Sequence, residues 1–145
     1  MHIHELGHVV LFVSDLERSA NFYRDTLGFH ELQRLRGAAV FSGGRTHHEL
    51  LLIEVGGAPH DRQHPEPGLY HIGFKIGDTH EDLVDAYHEL EAKGVTIVGT
   101  ADHTVTHSLY ILAPDGNELE LYADASDIWK MNPHAISSPT MPLPI

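Results

Sequence analysis

The stretch that decides the fold is His103–Asp124, HTVTHSLYILAPDGNELELYAD. The β-forming residues of Ser108–Leu112 predict a strand, and the Pro-Asp-Gly-Asn segment after it has the composition of a tight turn. Glu118–Tyr122 then alternates polar and apolar residues, which predicts a second strand. Side chains alternate between the two faces of a strand, so its two glutamates share one face and its two leucines the other. Such an acidic face is either solvated or supplies a metal ligand or a catalytic base.

Composition narrows the function before any motif is considered. The chain has 145 residues, enough for one domain with a real core. Its net charge of −12 argues against nucleic acid and acidic membrane surfaces as partners. It has no cysteine, which fits a reducing cytoplasm, and neither a transmembrane-length apolar run nor a signal-like N-terminus. Histidine is the outlier, with fourteen residues, and imidazole is the commonest metal ligand.

The order of predicted elements repeats along the chain. The first set is a strand, a helix and three strands: Leu6–Val13, Leu16–Leu27, Phe29–Leu35, Ala38–Ser42 and His47–Val55. The second set has the same order: Leu69–Ile76, His80–Lys93, Val95–Gly99 and the two strands within His103–Asp124. This internal repeat predicts an α+β fold of two βαβββ modules, about residues 6–55 and 68–122. We expect residues 1–124 to form one domain with a linker at 56–67, and the Pro-rich residues 125–145 to form an extended tail.

The repeat also places chemistry-bearing residues at matching positions. His8 and His71 stand near the starts of the first strands, and we predict that Glu54 and Glu120 occupy matching places on the last strands. Two modules related by a pseudo-twofold would form a cupped mixed sheet in which these residues converge. Two histidines and one carboxylate with open positions are the facial triad of non-haem Fe(II) oxygenases. A lone histidine would more simply belong to the core, but the repeated set predicts a metal site of His8, His71 and one carboxylate from a last strand, Glu54 or Glu120.

These modules resemble the vicinal oxygen chelate superfamily, which includes glyoxalases, bleomycin resistance proteins and extradiol dioxygenases. LGHVVLFVSDLERSANFYRDTLGF resembles its first module, and GLYHIGFKI the start of its second. Within the superfamily, the chain is most similar to type I extradiol ring-cleaving dioxygenases. That similarity rests on the pair His47-His48, on His71, and on a last hairpin with the pattern Ser108, Tyr110, Pro114, Gly116 and Glu120.

The resemblance implies roles for individual residues. Fe(II), or alternatively Mn(II), would bind His8, His71 and Glu120, and would act on a catechol-type diol with dioxygen. His48 would be the acid/base, and Tyr110 would donate a hydrogen bond to the substrate. The family's second-sphere histidine upstream of the tyrosine has no unambiguous counterpart here. His103 or His107 could supply it, although both are also typical solvated loop residues, as is His47.

Two other functions stay open on the sequence. A glyoxalase- or epimerase-like enzyme would add Glu54 as a fourth ligand on Zn(II), Ni(II) or Co(II), and a resistance-type protein would bind a small molecule without metal. The chain carries one module pair, whereas many extradiol dioxygenases carry a second, inactive pair. Its sheet edges and apolar C-terminus predict a homodimer or higher homo-oligomer. The substrate and the side of ring cleavage are not specified by the sequence.

Overall fold

A computed structural model describes residues 1–59 and 67–145, so most of the predicted linker lies outside the described residues. The chain divides into two compact units, Met1–Asp61 and Arg62–Ile145. Each unit contains one βαβββ module with a four-stranded mixed sheet. The predicted fold class of paired βαβββ modules is therefore confirmed. In the described part of the chain, no helix is long and apolar enough to cross a membrane.

The first unit is a sheet of four strands with one short helix. Its elements are β1 (Val9–Val13), α1 (Leu16–Asn21), a π-helical turn (Phe22–Thr26), β2 (His30–Leu35), β3 (Ala38–Ser42) and β4 (Leu50–Glu54). The strand order is β1-β4-β3-β2, with β1 parallel to β4 and the other pairs antiparallel. Asp15 caps α1, because its side chain accepts a hydrogen bond from the Arg18 amide at 2.9 Å.

The second unit repeats this arrangement. Its elements are β5 (His71–Gly77), α2 (His80–Ala92), β6 (Ile97–Asp102), β7 (Thr106–Leu112) and β8 (Glu118–Asp124). The strand order is β5-β8-β7-β6, again with one parallel pair, β5 with β8. Thr79 and Asp82 form a capping box that begins α2. The last strand of each unit therefore lies between a parallel and an antiparallel neighbour.

The core of each unit lies between its helix and one face of its last strand. Leu50 and Leu52 of β4 are buried, as are Leu119 and Leu121 of β8. α1 packs on β4 and α2 on β8. Burying a leucine side chain contributes roughly 1.5–3 kcal/mol, so these alternating leucines fix which face of each strand is internal. The alternation predicted for Glu118–Tyr122 is present, and it leaves Glu118 and Glu120 on the face away from α2.

Some element boundaries differ from the sequence prediction. β1 begins at Val9, so His8 lies just before the strand. β4 begins at Leu50, because the Glu49 carboxylate accepts hydrogen bonds from the amides of Gly43 and Thr46, both at 2.8 Å, and holds the preceding residues in a loop. The pair His47-His48 therefore lies in this loop and not on a strand.

The C-terminal residues return to the edge of the second sheet. They include two short 3-10 helices, Ile128–Lys130 and Pro133–Ser137, so the segment predicted as extended is partly helical. Beyond them, Asp102 of β6 and Met141 exchange both backbone hydrogen bonds at 2.9 Å. The Thr100 hydroxyl donates to the Leu143 carbonyl at 2.6 Å. The tail thus covers the outer edge of β6 in its own chain, and the homo-oligomer stays a prediction.

Candidate metal site

The second unit brings together two of the three predicted metal ligands. His71 is the first residue of β5, and Glu120 lies on the adjacent parallel strand β8. The Nε2 atom of His71 is 3.1 Å from Oε2 of Glu120. One imidazole nitrogen and one carboxylate oxygen therefore face each other on the side of the sheet away from α2.

A buried serine orients the Glu120 carboxylate. The Ser108 hydroxyl donates to Oε1 of Glu120 at 2.6 Å, and Ser108 is fully buried. This hydrogen bond occupies one carboxylate oxygen and leaves Oε2 facing His71. A carboxylate held in this way presents a single oxygen to a bound cation.

The other nitrogen of the His71 ring faces a second carboxylate. Nδ1 of His71 is 3.7 Å from Oε1 of Glu118, too long for a hydrogen bond. Among the described residues this buried nitrogen has no hydrogen-bond partner. In the tautomer with its hydrogen on Nδ1, His71 keeps the Nε2 lone pair, which is the form that binds a metal ion.

Tyr110 lies directly across from Glu120 in the β7–β8 ladder. Its hydroxyl is 2.8 Å from Nε2 of His103. Burial, followed by the negative charge of Glu120, raises the pKa of Tyr110 to about 12. The phenol therefore keeps its hydrogen to a higher pH than an ordinary tyrosine and can donate it.

The structure distinguishes the two histidines that could accompany Tyr110. His103 contacts the Tyr110 hydroxyl, as described above. His107 instead lies with Nε2 3.9 Å from the Asp102 carboxylate, and its ring packs edge-on against His80. Sequence spacing could not separate these histidines, because the β6–β7 turn decides which of them reaches the tyrosine.

The first unit contains a cluster of three histidines. The ring centroids of His8 and His48 are 4.5 Å apart, and Nδ1 of His47 is 2.6 Å from Nδ1 of His48. Loss of solvent around the ring, followed by repulsion from His8 and His47, lowers the pKa of His48 below its usual value. His48 is therefore a neutral imidazole near neutral pH, able to accept a proton.

No group of three or more His, Cys, Asp or Glu side chains within residues 1–59 and 67–145 is arranged to hold a metal ion. The structure thus shows the pair His71–Glu120 in the second unit. It shows His8 beside His48 in the first unit. The assignment of all three predicted ligands to one metal ion remains a proposal.

Strand register corrects the predicted role of Glu54. Leu51 pairs with Val10, two residues after His8, and Glu120 pairs with Gly73, two residues after His71. Leu51 is therefore the counterpart of Glu120. Glu54 lies three residues later, on the helix-packed face. Its Oε2 accepts a hydrogen bond from the Leu16 amide at 2.7 Å, at the start of α1.

The prediction that Glu54 matches Glu120, and with it the assignment of Glu54 as a fourth ligand, is therefore wrong. An odd shift along a strand moves a side chain to the opposite face of the sheet. Glu54 is occupied at the helix terminus, and the position that corresponds to Glu120 is apolar in the first unit. The four-ligand glyoxalase-like alternative loses its fourth carboxylate.

Known proteins share this fold and these modules. Residues 5–121 match the Glyoxalase/Bleomycin resistance protein/Dioxygenase superfamily. The crystal structure of a glyoxalase/dioxygenase from Nostoc punctiforme has the same fold, with a TM-score of 0.68 at 22% identity over 84% of this chain and 92% of that chain.

Three relatives illustrate the range of activities in the family. The chain is 32% identical to biphenyl-2,3-diol 1,2-dioxygenase 2 of Rhodococcus globerulus, over 83% of this chain and 63% of that protein. It is 35% identical to catechol-2,3-dioxygenase of Bacillus subtilis (strain 168), over 84% of this chain and 43% of that protein. It is 32% identical to metallothiol transferase FosB of Staphylococcus haemolyticus, over 81% of each chain. The chain thus spans less than two thirds of the length of both dioxygenases. It belongs to the glyoxalase/bleomycin resistance/dioxygenase superfamily.

Proposed function

We propose that this protein is a non-haem Fe(II)-dependent extradiol dioxygenase that cleaves a catechol-type ring with dioxygen. The observation that carries the proposal is the cluster of His71, Glu120 and Tyr110, in which a nitrogen and an oxygen donor adjoin a protonated phenol. The two relatives named as diol and catechol dioxygenases support the same reaction class.

The proposed ligands of the metal are His8, His71 and Glu120. Imidazole nitrogen and carboxylate oxygen suit Fe(II), and Mn(II) accepts the same donors. Ser108 fixes Glu120 with one oxygen free, and Leu51 offers no carboxylate at the counterpart position. Three ligands leave coordination positions open. When bound, the metal would hold diol and dioxygen together and allow electrons to pass between them.

Tyr110 has the role of a hydrogen-bond donor to a substrate oxygen. Its phenol is protonated at working pH, and its place opposite Glu120 in the β7–β8 ladder puts it on the same face of the sheet as the proposed ligand. A donor fixed before the substrate arrives stabilises negative charge that develops on a substrate oxygen. His103, in contact with the hydroxyl, fixes the orientation of the phenol.

His48 has the role of general base and later of proton donor. Its lowered pKa leaves the ring neutral near pH 7, so that it can accept a proton from a diol hydroxyl. His8 lies against His48 in the first unit, which puts a proposed ligand next to the proposed base. His47 contacts His48 and has no separate proposed role.

The test is dioxygen uptake by full-length protein loaded with Fe(II) without air. On addition of catechol, we expect equal consumption of catechol and dioxygen, with a yellow ring-opened product. The matched control is His107→Ala, which removes a histidine from β7 outside the proposed site and should keep the activity. Protein that contains bound Fe(II) or Mn(II) but consumes no dioxygen with any simple catechol would contradict the proposal.

A second candidate is metal-dependent transfer of a thiol to a small electrophile. The observation that favours it is the length of the match. This chain covers 81% of the metallothiol transferase FosB, but only 43% of the catechol-2,3-dioxygenase and 63% of the biphenyl-2,3-diol 1,2-dioxygenase 2. Loss of thiol in the presence of metal and a small electrophile, without dioxygen uptake, would support this candidate. Consumption of dioxygen with catechol would exclude it as the main activity.

A further inference from the structure

Strand register arranges the face of the second sheet that carries the candidate site in rows. Glu120 on β8 pairs with Gly73 on β5 on one side and with Tyr110 on β7 on the other. Paired residues of neighbouring strands point to the same face of a sheet, so these three positions form one row. The row carries a phenol at one end, a carboxylate in the middle and no side chain at the other end. It is therefore open on the β5 side of Glu120.

The space over Gly73 is bounded by a carboxylate oxygen and an aromatic ring. A Cβ atom on Gly73 would lie 3.7 Å from Oε2 of Glu120, and 3.5 Å and 3.8 Å from Cε1 and Cδ1 of Tyr122. Oε2 is the same oxygen that lies 3.1 Å from Nε2 of His71. Gly73 itself is exposed. This space, called here the Gly73 gap, is thus an accessible recess beside the donor pair, with ring carbons of Tyr122 as one wall.

The neighbouring side chains of β5 leave the Gly73 gap open. Because side chains alternate along a strand, His71 precedes Gly73 on this face and Lys75 follows it. His71 is directed to Glu120, as described above. The Lys75 ammonium forms salt bridges with Asp78 and Asp124, which lie after β5 and at the end of β8. These ion pairs hold the long lysine side chain at the ends of the two strands.

The walls of the Gly73 gap determine what fits there. Ring carbons of Tyr122 favour an apolar group, and the contact distances of 3.5–3.8 Å leave room for a group about the size of a methyl. When a diol is held at the donor pair, the ring carbon next to the diol is the one nearest to Glu120. A substituent on that carbon is therefore the part of the substrate that reaches a recess adjoining Oε2.

We propose that Gly73 is a specificity-determining residue, whose missing side chain leaves a gap between Glu120 and Tyr122 that takes a small apolar substituent on the ring carbon next to the diol. This inference rests on the proposed function, because it names the substrate class of the same site as catechols substituted at position 3. Tyr110 occupies the corresponding place on the other side of Glu120, so the substituent is accepted on one side only.

The test is equilibrium binding in the absence of dioxygen. Full-length protein loaded with Fe(II) is titrated in an anaerobic calorimeter with catechol, 3-methylcatechol and 4-methylcatechol. We expect the wild type to bind 3-methylcatechol about fourfold more tightly than catechol, the value of transferring one methyl group out of water. Gly73→Ala fills the gap with its own methyl group and should remove this preference.

Two control variants accompany Gly73→Ala. Gly99→Ala adds the same methyl group on β6, where a Cβ would meet nothing within 4 Å, and should keep the preference for 3-methylcatechol. Tyr122→Phe keeps the ring carbons that line the gap and should keep it as well. Iron content and circular dichroism of each variant show that it is loaded and folded.

The outcomes separate this inference from the proposed function. An unchanged preference in Gly73→Ala, or tighter binding of 4-methylcatechol than of 3-methylcatechol by the wild type, would overturn the inference alone. Protein that binds the catechols as expected but consumes no dioxygen would refute the dioxygenase reaction and leave the role of Gly73 standing. A wild type that binds none of the three catechols would refute both.

A second variant decides the matter if Gly73→Ala loses its iron. Tyr122→Ala removes the ring wall and widens the gap. It should bind 3-isopropylcatechol more tightly, relative to 3-methylcatechol, than the wild type does. An unchanged ratio of the two dissociation constants would overturn the proposal.

Discussion

The two units carry different side chains at the same pair of opposed positions on their last two strands. In the first unit, Val40 on β3 lies opposite Leu51 on β4, and in the second unit Tyr110 on β7 lies opposite Glu120 on β8. One pair is apolar and the other carries a phenol and a carboxylate. The faces packed on the helices are leucine-rich in both units. The fold therefore depends on one face of these strands, and the other face is free to carry chemistry.

The two carboxylates of the last strands also differ in use. Glu54 accepts a hydrogen bond from the Leu16 amide and completes the start of α1. Glu120 receives the Ser108 hydroxyl and faces His71. In the second unit the helix start is completed by Thr79 and Asp82, so no carboxylate of β8 is needed there. A capping box thus takes over the structural task that Glu54 performs in the first unit.

The largest expected effect concerns the proton-transfer group of the first unit. Replacing His48 with Ala in the Fe(II)-loaded protein should lower kcat about 10²–10⁴-fold, the usual contribution of general acid–base catalysis. The iron content should be unchanged and KM should move little, because a diol reaches the metal through its own oxygens. The measurement is steady-state catechol cleavage with iron assayed in the same samples.

Two outcomes would contradict the assignment of His48 as an acid/base that does not bind the metal. A His48→Ala protein with the wild-type rate would remove His48 from the mechanism. A variant that loses its iron would make His48 a ligand and displace one of the three proposed ligands. The matched control is His47→Ala, which removes the adjacent imidazole and should reduce kcat far less.

A smaller effect sharpens the difference between Tyr110 and its apolar counterpart Val40. Tyr110 has a pKa of about 12 in the folded protein, above its ordinary value of about 10. Between these pH values the unfolded chain loses this proton while the folded chain keeps it, so the free energy of unfolding falls as the pH rises. Tyr110→Phe should remove that part of the slope. Urea unfolding of both proteins between about pH 9 and 12 measures it, and equal slopes would contradict the raised pKa.

The smallest expected effect tests the structural role of Glu54. Glu54→Gln weakens the acceptor for the Leu16 amide and should cost about 1 kcal/mol of unfolding free energy, as loss of a helix cap does. The control is Glu81→Gln, a glutamate in the first turn of α2, whose start is already completed by the capping box. It should change stability by less than about 0.5 kcal/mol. Equal effects of the two substitutions in urea unfolding would mean that the Leu16 contact contributes nothing particular.

Much of the fold could be predicted because its signals are local. The alternation in Glu118–Tyr122 and the turn before it depend on neighbouring residues, and both are present in the structure. Boundaries were less predictable. The Glu49 carboxylate accepts hydrogen bonds from two amides of the preceding loop, a side-chain contact that hydrophobic alternation does not indicate, and β4 therefore begins only at Leu50. The predicted helix over Leu16–Leu27 changes to a π-helical turn at Phe22, which no residue pattern indicated.

The candidate site was predictable in its residue types and less so in its contacts. Tyr110 and Glu120 were identified from spacing and resemblance, and the ladder places them opposite each other. The place of Glu54 near the end of its strand predicts a match to Glu120, but only strand register shows which face of the sheet a residue occupies. The contact of His103 with both Tyr110 and Thr140 depends on a turn and a docked tail, and a sequence pattern contains neither.

The most direct test compares the metal content of two matched variants. Glu120→Gln and Glu54→Gln each replace one last-strand carboxylate with an amide of nearly equal shape. If the site is built on the second unit as proposed, Glu120→Gln should lose nearly all bound Fe(II), whereas Glu54→Gln should keep the wild-type amount. The measurement is elemental analysis of protein loaded without air, with circular dichroism to confirm that both variants are folded. Full iron occupancy in folded Glu120→Gln, or loss of iron in Glu54→Gln alone, would contradict the account.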